Sequence, residues 1–206
     1  MIAWTIDAAI QTGLFKRVIV STDAPEIQSI SQDFGADVPF LRQEYHDDIT
    51  PVSKATLSAL RQAEEYYNEH YSTVVQLMPN CPLRSSRIIK DMLISFLKND
   101  ADSMLSHTRY GWMNPWWACT GDNNQSVTPI FPEQLKERSQ DLPELYCPTG
   151  AIWAAKAEIL KKEESFHTQN KKMFLMDWKY AIDIDDMQDW DMAEMLYTFL
   201  QNKEQL

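Results

Sequence analysis

The chain has 206 residues, 44% of them hydrophobic and 11% aromatic, which suits one domain with a buried core and excludes a disordered segment. Its 30 acidic and 19 basic residues leave a net charge of −11, which opposes broad contact with nucleic acid or an anionic membrane and admits a small phosphorylated ligand only where cations cluster locally. Cys81, Cys119 and Cys147 are far apart and make neither a disulfide framework nor a C-x-x-C pair; with no basic leader-like start and no run long enough to span a bilayer, a soluble cytoplasmic protein is expected.

In chain order, Ile2, Ile6, Ala9 and Ile10 recur at helical spacing and stop at Gly13, so the chain begins inside an amphipathic helix. Val18–Val20 is a short β-branched run, and Ser21-Thr22-Asp23 before Pro25 reads as a turn into a helix that runs to about Gly35. Val38–Arg42 and a polar loop follow, then a helix over Val52–Tyr67, a strand over Ser72–Met78 and a helix over Ser85–Lys98 with Ile88, Ile89, Met92 and Phe96 on one face. Ser103–Ser106 reads as a further strand. Strands alternating with helices of this length predict βαβ units and an α/β fold with a mostly parallel sheet covered on both sides.

From Arg109 to Pro148 the alternation fails, and prolines accompany Trp112, Trp116 and Trp117, so this stretch reads as an inserted arm within a single domain of residues 1–206. Tryptophans so close together stack on a sugar or base, pack internally or form a subunit contact; the last two fit best. Gly150–Ala154 resumes the α/β pattern, and a last helix with Trp190, Ala193, Leu196 and Leu200 closes the chain.

Ala181–Asp186 places Asp183 and Asp185 one residue apart in a strand-like run, which directs both carboxylates to one face. A hard cation such as Mg²⁺ takes one or two such carboxylates and completes its shell with water and substrate phosphate, so the pair fits phosphate chemistry. It also fits a solvated strand end followed by a helix cap, with Asp186 ahead of Met187–Leu200. Too few residues follow Asp185 for the core of a haloacid-dehalogenase-type phosphatase, and a glycosyltransferase D-x-D site leaves the Pro79–Arg84 segment unexplained. His46, His70, His107 and His167 lack ligand spacing and receive no role.

Four motifs in order carry a resemblance over essentially the whole chain. They are Ile2–Ile6 leading to Arg17–Asp23; Val38–Arg42; Leu77-Met78-Pro79-Asn80-Cys81-Pro82-Leu83-Arg84; and Arg138–Pro143 with Pro148–Trp153 and the closing Ile182–Asp185. Together they resemble the cytidylyltransferases that activate sialic, pseudaminic and legionaminic acids. The resemblance implies a Rossmann-like three-layer αβα nucleotidyltransferase fold with a dimerisation arm at 109–148, and transfer of CMP from CTP to a nonulosonic acid, giving CMP-sugar and pyrophosphate.

By the same resemblance Asp183 and Asp185 hold Mg²⁺ and act in catalysis with Arg138, while Arg42, Met78, Asn80, Arg84 and Thr149 meet substrate, in a cytoplasmic homodimer. Guanidinium forks match carboxylate and phosphate, which suits Arg84 and Arg138, though surface ion pairs fit them too. Met78 stands where the family commonly has a glutamine, Thr149 where asparagine is frequent and Cys147 where arginine is frequent, so the identity of the sugar is open. The family's opening strand and basic phosphate loop would precede Met1, so the resemblance is to an N-terminally truncated member. The alternative reading is a catalytically inactive homologue that acts as a sugar-binding or partner subunit.

Overall fold

The computed structural model describes residues 1–45, 47 and 49–204; His46 lies outside the described residues. Helix α1 (Ile2–Ile10) is followed by a turn to Gly13, three residues beyond its end, whose φ of +63° is a left-handed conformation that glycine adopts without strain. Helix α2 (Pro25–Asp33) starts on its proline, and α3 (Val52–Tyr67) has the predicted bounds. Strand β1 (Thr73–Gln76) leads to α4 (Ser86–Lys98), which Ser85 caps by accepting a bond from the Ile88 amide. Then come β2 (Ser103–Arg109), the arm hairpin β3 (Cys119–Gly121) and β4 (Val127–Pro129), β5 (Tyr146–Lys156), α5 (Ala157–Glu163), β6 (Lys171–Leu175) and α6 (Met187–Glu204).

The main sheet has the order β1-β5-β2-β6. Its alternation sorts side chains to two faces. Met104, Ala154 and Val75 join Ile89, Met92 and Phe96 of α4, while Leu105, Ala155 and Val74 join Leu57 and Leu60 of α3 and Leu160 of α5. The fold is therefore mixed α/β with helices on both faces, as expected.

The mostly parallel sheet is corrected: β5 runs antiparallel to both β1 and β2, and only the β2–β6 pair is parallel. The reason lies in the arm. It leaves the end of β2 and returns directly beside it, with Arg109 paired to Tyr146, so that β5 closes a long hairpin where a helical crossover was expected. Val18–Val20 forms only a single parallel bridge, Ile19 to Asp37, because a cleft separates it from β1. Residues 181–184 are not a strand either.

Within the arm, Trp116 packs edge-on against Phe131 and donates its indole N–H to the Pro143 carbonyl, whereas Trp112 is 84% exposed. Internal packing therefore accounts for Trp116 and not for Trp112.

Phe166 is fully buried and meets Trp153 edge to face at 5.6 Å. Phe166→Ala is expected to cost about 3–5 kcal/mol of unfolding free energy through cavity formation. Leu97→Ala, on the outer side of α4 and 72% exposed, is expected to change it by less than about 0.5 kcal/mol; urea titration of both checks the assignment of the core.

Candidate active site

The loop after β1 organises the acidic pair. The Ile184 amide donates to the Asn80 carbonyl at 3.0 Å and fixes the 182–185 segment against residues 80–81. Cys81, fully buried, donates its thiol to Asp183 Oδ1 at 3.4 Å, and Asn80 Nδ2 donates to Asp185 Oδ1 at 3.4 Å. The two carboxylates thus face one loop, but the strand alternation expected from their spacing is absent: no strand carries them, and the bonds to residues 80–81 set their direction. Burial, reinforced by Asp183, pushes the Cys81 thiol up to about 12, so it remains a neutral donor at physiological pH.

Asp183 is itself shifted upward from the ordinary carboxylate value, first by partial burial and then by Asp185 and Asp189. No lysine or arginine reaches either carboxylate within ion-pair distance among the described residues. Two carboxylates held by neutral donors, with their negative charge uncompensated, suit a hard divalent cation that completes its shell with water and phosphate oxygen. Among the described residues no three His, Cys, Asp or Glu side chains cluster as metal ligands, so any such cation draws most of its shell from elsewhere.

Beyond the pair the chain turns into α6 through a reciprocal cap. Asp186 Oδ1 accepts from the Gln188 and Asp189 amides, and Asp189 Oδ2 reaches back to the amides of Asp185 and Asp186. The helix-cap reading holds for Asp186, with Asp189 as its reciprocal partner, and it leaves Asp183 and Asp185 facing the 80–81 loop.

The second wall is an interruption in β5. The β2–β5 register passes from Leu105↔Trp153 to His107↔Pro148, so Thr149–Ile152 oppose the single residue Ser106. Side chains meet the backbone groups this releases. The buried Ser106 hydroxyl lies 3.0 Å from the Ile152 amide and 2.7 Å from Thr149 Oγ1, and Trp153 Nε1 donates to the Thr149 carbonyl at 2.6 Å. The Met78 amide donates to Gly150 O at 3.4 Å. A Cβ on Gly150 would lie 3.2 Å from Met78 Cγ, so a larger residue there would press on the Met78 side chain.

The third element is a cleft of about 490 Å³ between residues 18–23 and β1, lined among others by Thr22, Asp23, Arg42, Gln76, Met78 and Pro79. Ser21 Oγ, Arg42 Nε and Gln76 Oε1 are buried at its walls without a protein partner, as expected of a site that binds a polar ligand. Arg42 is steadied by Asp23 at 3.5 Å and by its own amide on Thr22 O at 2.7 Å. At Met78–Pro79 the cleft lining runs directly into Asn80 and Cys81. A neighbouring cavity of about 500 Å³ shares Ile19, Thr56 and Val75 with this cleft and extends between Lys16 and Tyr71.

The structure thus brings Asn80, Asp183 and Asp185 together, sets Met78 against the strand segment that bears Thr149, and places Arg42 in the cleft. It does not bring the other two arginines to them. Arg138 lies exposed on the arm, its Nε bonded to Asp141 at 2.7 Å, the surface pair that was the other reading of this residue. Arg84 is 2% exposed, with its fork turned into the protein. Sequence reasoning missed Cys81 as the donor to Asp183, and Ser106, Ser21 and Gln76. A serine in a β run carries no local signal that it will face an interrupted neighbour.

Comparison with known proteins gives the family. Residues 1–205 match the family described as Cytidylyltransferase, and the chain belongs to that family. It is 32% identical over 198 residues to the CMP-N,N'-diacetyllegionaminic acid synthase of Campylobacter jejuni, covering 95% of this chain and 83% of that protein. It is 27% identical over 197 residues to a pseudaminic acid cytidylyltransferase of the same species, covering 96% and 84%. An N-acylneuraminate cytidylyltransferase of Streptococcus agalactiae is 28% identical over 192 residues, a stretch that is 92% of this chain and 45% of that protein. A solved CMP:2-keto-3-deoxy-manno-octonic acid synthetase complexed with CTP superposes with a TM-score of 0.62 at 14% identity, over 96% of this chain and 88% of that one, which shows the shared fold.

Because the fold raises the Asp183 pKa, its contribution to stability is complete at low pH and is lost as pH rises through that raised value. Asp183→Asn is therefore expected to raise the melting temperature at pH 7 in the absence of metal, with the advantage vanishing once pH falls below the ordinary aspartate range. Thermal melts across pH check the sign.

Proposed function

We propose that this chain transfers CMP from CTP to a nonulosonic acid, releasing pyrophosphate. The observation that carries the reading is the Asp183–Asp185 pair, held by neutral donors from the loop that continues the cleft with unpartnered Ser21, Arg42 and Gln76 atoms. In this reaction the anomeric oxygen of the sugar bonds to the α-phosphorus and the bond to the pyrophosphate oxygen breaks. Such transfer depends on in-line placement and on neutralising charge that moves toward the leaving group.

Mg²⁺, when bound, would supply that neutralisation, and Asp183 and Asp185 are the residues that would hold it. Arg42 and the unpartnered Ser21 and Gln76 atoms receive the nucleotide, and Met78 with Thr149 receives the sugar. A thioether at Met78 favours a sugar that presents an apolar or acylated edge there over one that needs an amide contact.

On this reading the fold is the Rossmann-like three-layer form of the family, and the protein works in the cytoplasm. The arm, with Trp112 and Val127 exposed at 84% and 70%, meets a second copy in a homodimer.

Pyrophosphate release from CTP with pseudaminic, legionaminic or N-acetylneuraminic acid and Mg²⁺ tests the reading, in this chain and in a form extended through whatever residues are encoded upstream. Product with at least one sugar is expected, falling about 10²-fold or more in Asp185→Asn. No product from either form with any of the three would overturn it.

A further inference from the structure

We infer that Arg84 is a positioning residue: from inside the fold it holds the interrupted stretch of β5 at a set distance from helix α1, and thereby aligns the wall formed by Thr149 and Met78. The inference deepens the reading above, on which the identity of the ligand at that wall rests.

Arg84 Nη1 donates to the Ala151 carbonyl at 2.8 Å and Nη2 to Thr5 Oγ1 of α1 at 2.6 Å. Ala151 lies outside the ladder on both sides, because β1 pairs with β5 no further than Trp153 and β2 resumes only at Pro148. Its carbonyl is therefore one that the strand pattern leaves without a partner, and Arg84 takes it. The guanidinium is planar and rigid, so one group fixes two acceptors at a separation that a flexible ammonium does not reproduce.

The arrangement is costly. Arg84 has no carboxylate within ion-pair distance among the described residues, its Nε has no partner, and burial pushes its pKa down to about 10. A buried cation without a counter-charge is a poor choice for stability alone, since an apolar side chain of similar volume fills such a space at less cost. What the apolar substitute lacks is the fork that spans Thr5 and Ala151. The same residue precedes the Ser85 cap of α4 and ends the loop whose Asn80 and Cys81 hold the acidic pair. One side chain thus ties that loop, α1 and the β5 wall together.

Arg84→Lys keeps the charge but reaches one acceptor at a time, Arg84→Met keeps the volume and reaches neither, and Thr5→Val removes one acceptor while leaving Arg84 in place. In Arg84→Lys the KM for the sugar is expected to rise about tenfold to a hundredfold, as for a small misplacement of a binding wall. kcat and the KM for CTP change less than the KM for the sugar, since Arg84 bonds the β5 wall directly and makes no bond to Asp183, Asp185, Arg42, Ser21 or Gln76. Amide hydrogen exchange of Ala151 and Ile152 is expected to accelerate in the same variant. Thr5→Val shows part of both effects, and adds nothing when combined with Arg84→Met.

Unchanged exchange at 151–152 in Arg84→Lys, or equal losses for both substrates, would overturn the inference. Faster exchange in an unaltered background that shows no turnover with any sugar would support the positioning role and count against the proposed reaction.

Discussion

The site depends on how a sheet tolerates four residues opposite one. Where Thr149–Ile152 face Ser106, ladder bonding is interrupted, and buried amides and carbonyls without partners would each cost about 1–3 kcal/mol. The structure meets this with side chains from three directions: Ser106 from β2, Trp153 from β5 itself and Arg84 from the loop ahead of α4. With those bonds made, β5 remains continuous with the core at both ends, Ile152 and Ala154 buried beneath α4 and Tyr146 paired to Arg109. Thr149 and Gly150 are then presented by a deformed but fully supported strand, as bulges beside functional sites commonly are. Loosening any of these bonds moves the Met78 wall.

The charge distribution sets the acidic pair apart from the charges that stabilise the fold. Away from the acidic pair, Arg17 stacks on Tyr67 at 3.4 Å and is forked onto Glu69, whose carboxyl the neighbouring Arg17 and Lys16 pull down to about 2. Lys161 likewise meets the half-buried Glu64 at 2.6 Å. At Asp183 and Asp185 the pattern is the reverse: neighbours are a thiol and an amide, the nearest ionised groups are other carboxylates, and the shift of Asp183 is upward. The fold tolerates this repulsion at the site, as a binding function that imposes a cost on stability would require.

Much of this was legible in the residues. Helix α3 is legible to the residue because its hydrophobic period runs from Val52 to Tyr67, and α4 to within one residue, Ser85 being its cap and not its first helical residue. The acidic pair was legible from its spacing, and its family from the order of four motifs. The direction of β5 was not, because a parallel crossover and a long hairpin arm present the same alternation of apolar residues; only the closure at Arg109–Tyr146 distinguishes them. Nor was the inward turn of Arg84: an arginine after Pro-Leu carries no local mark of burial, and its partners, Thr5 and Ala151, are 79 and 67 residues away along the chain.

On the proposed reading, the same distribution constrains how an anionic nucleotide would reach the cleft. With a net charge of −11, the field of the whole chain repels it, so attraction must come from within a Debye length, roughly 10 Å at 0.1 M salt. Of the cations near the walls, Arg17 is committed to Glu69 and Arg84 is buried away from solvent, which leaves Arg42, itself shared with Asp23, as the guanidinium with a free edge in the cleft. One shared arginine does not neutralise a triphosphate. On the proposed reading the balance would arrive with the ligand as a cation held by Asp183 and Asp185, and the same two carboxylates would then serve recognition as well as chemistry.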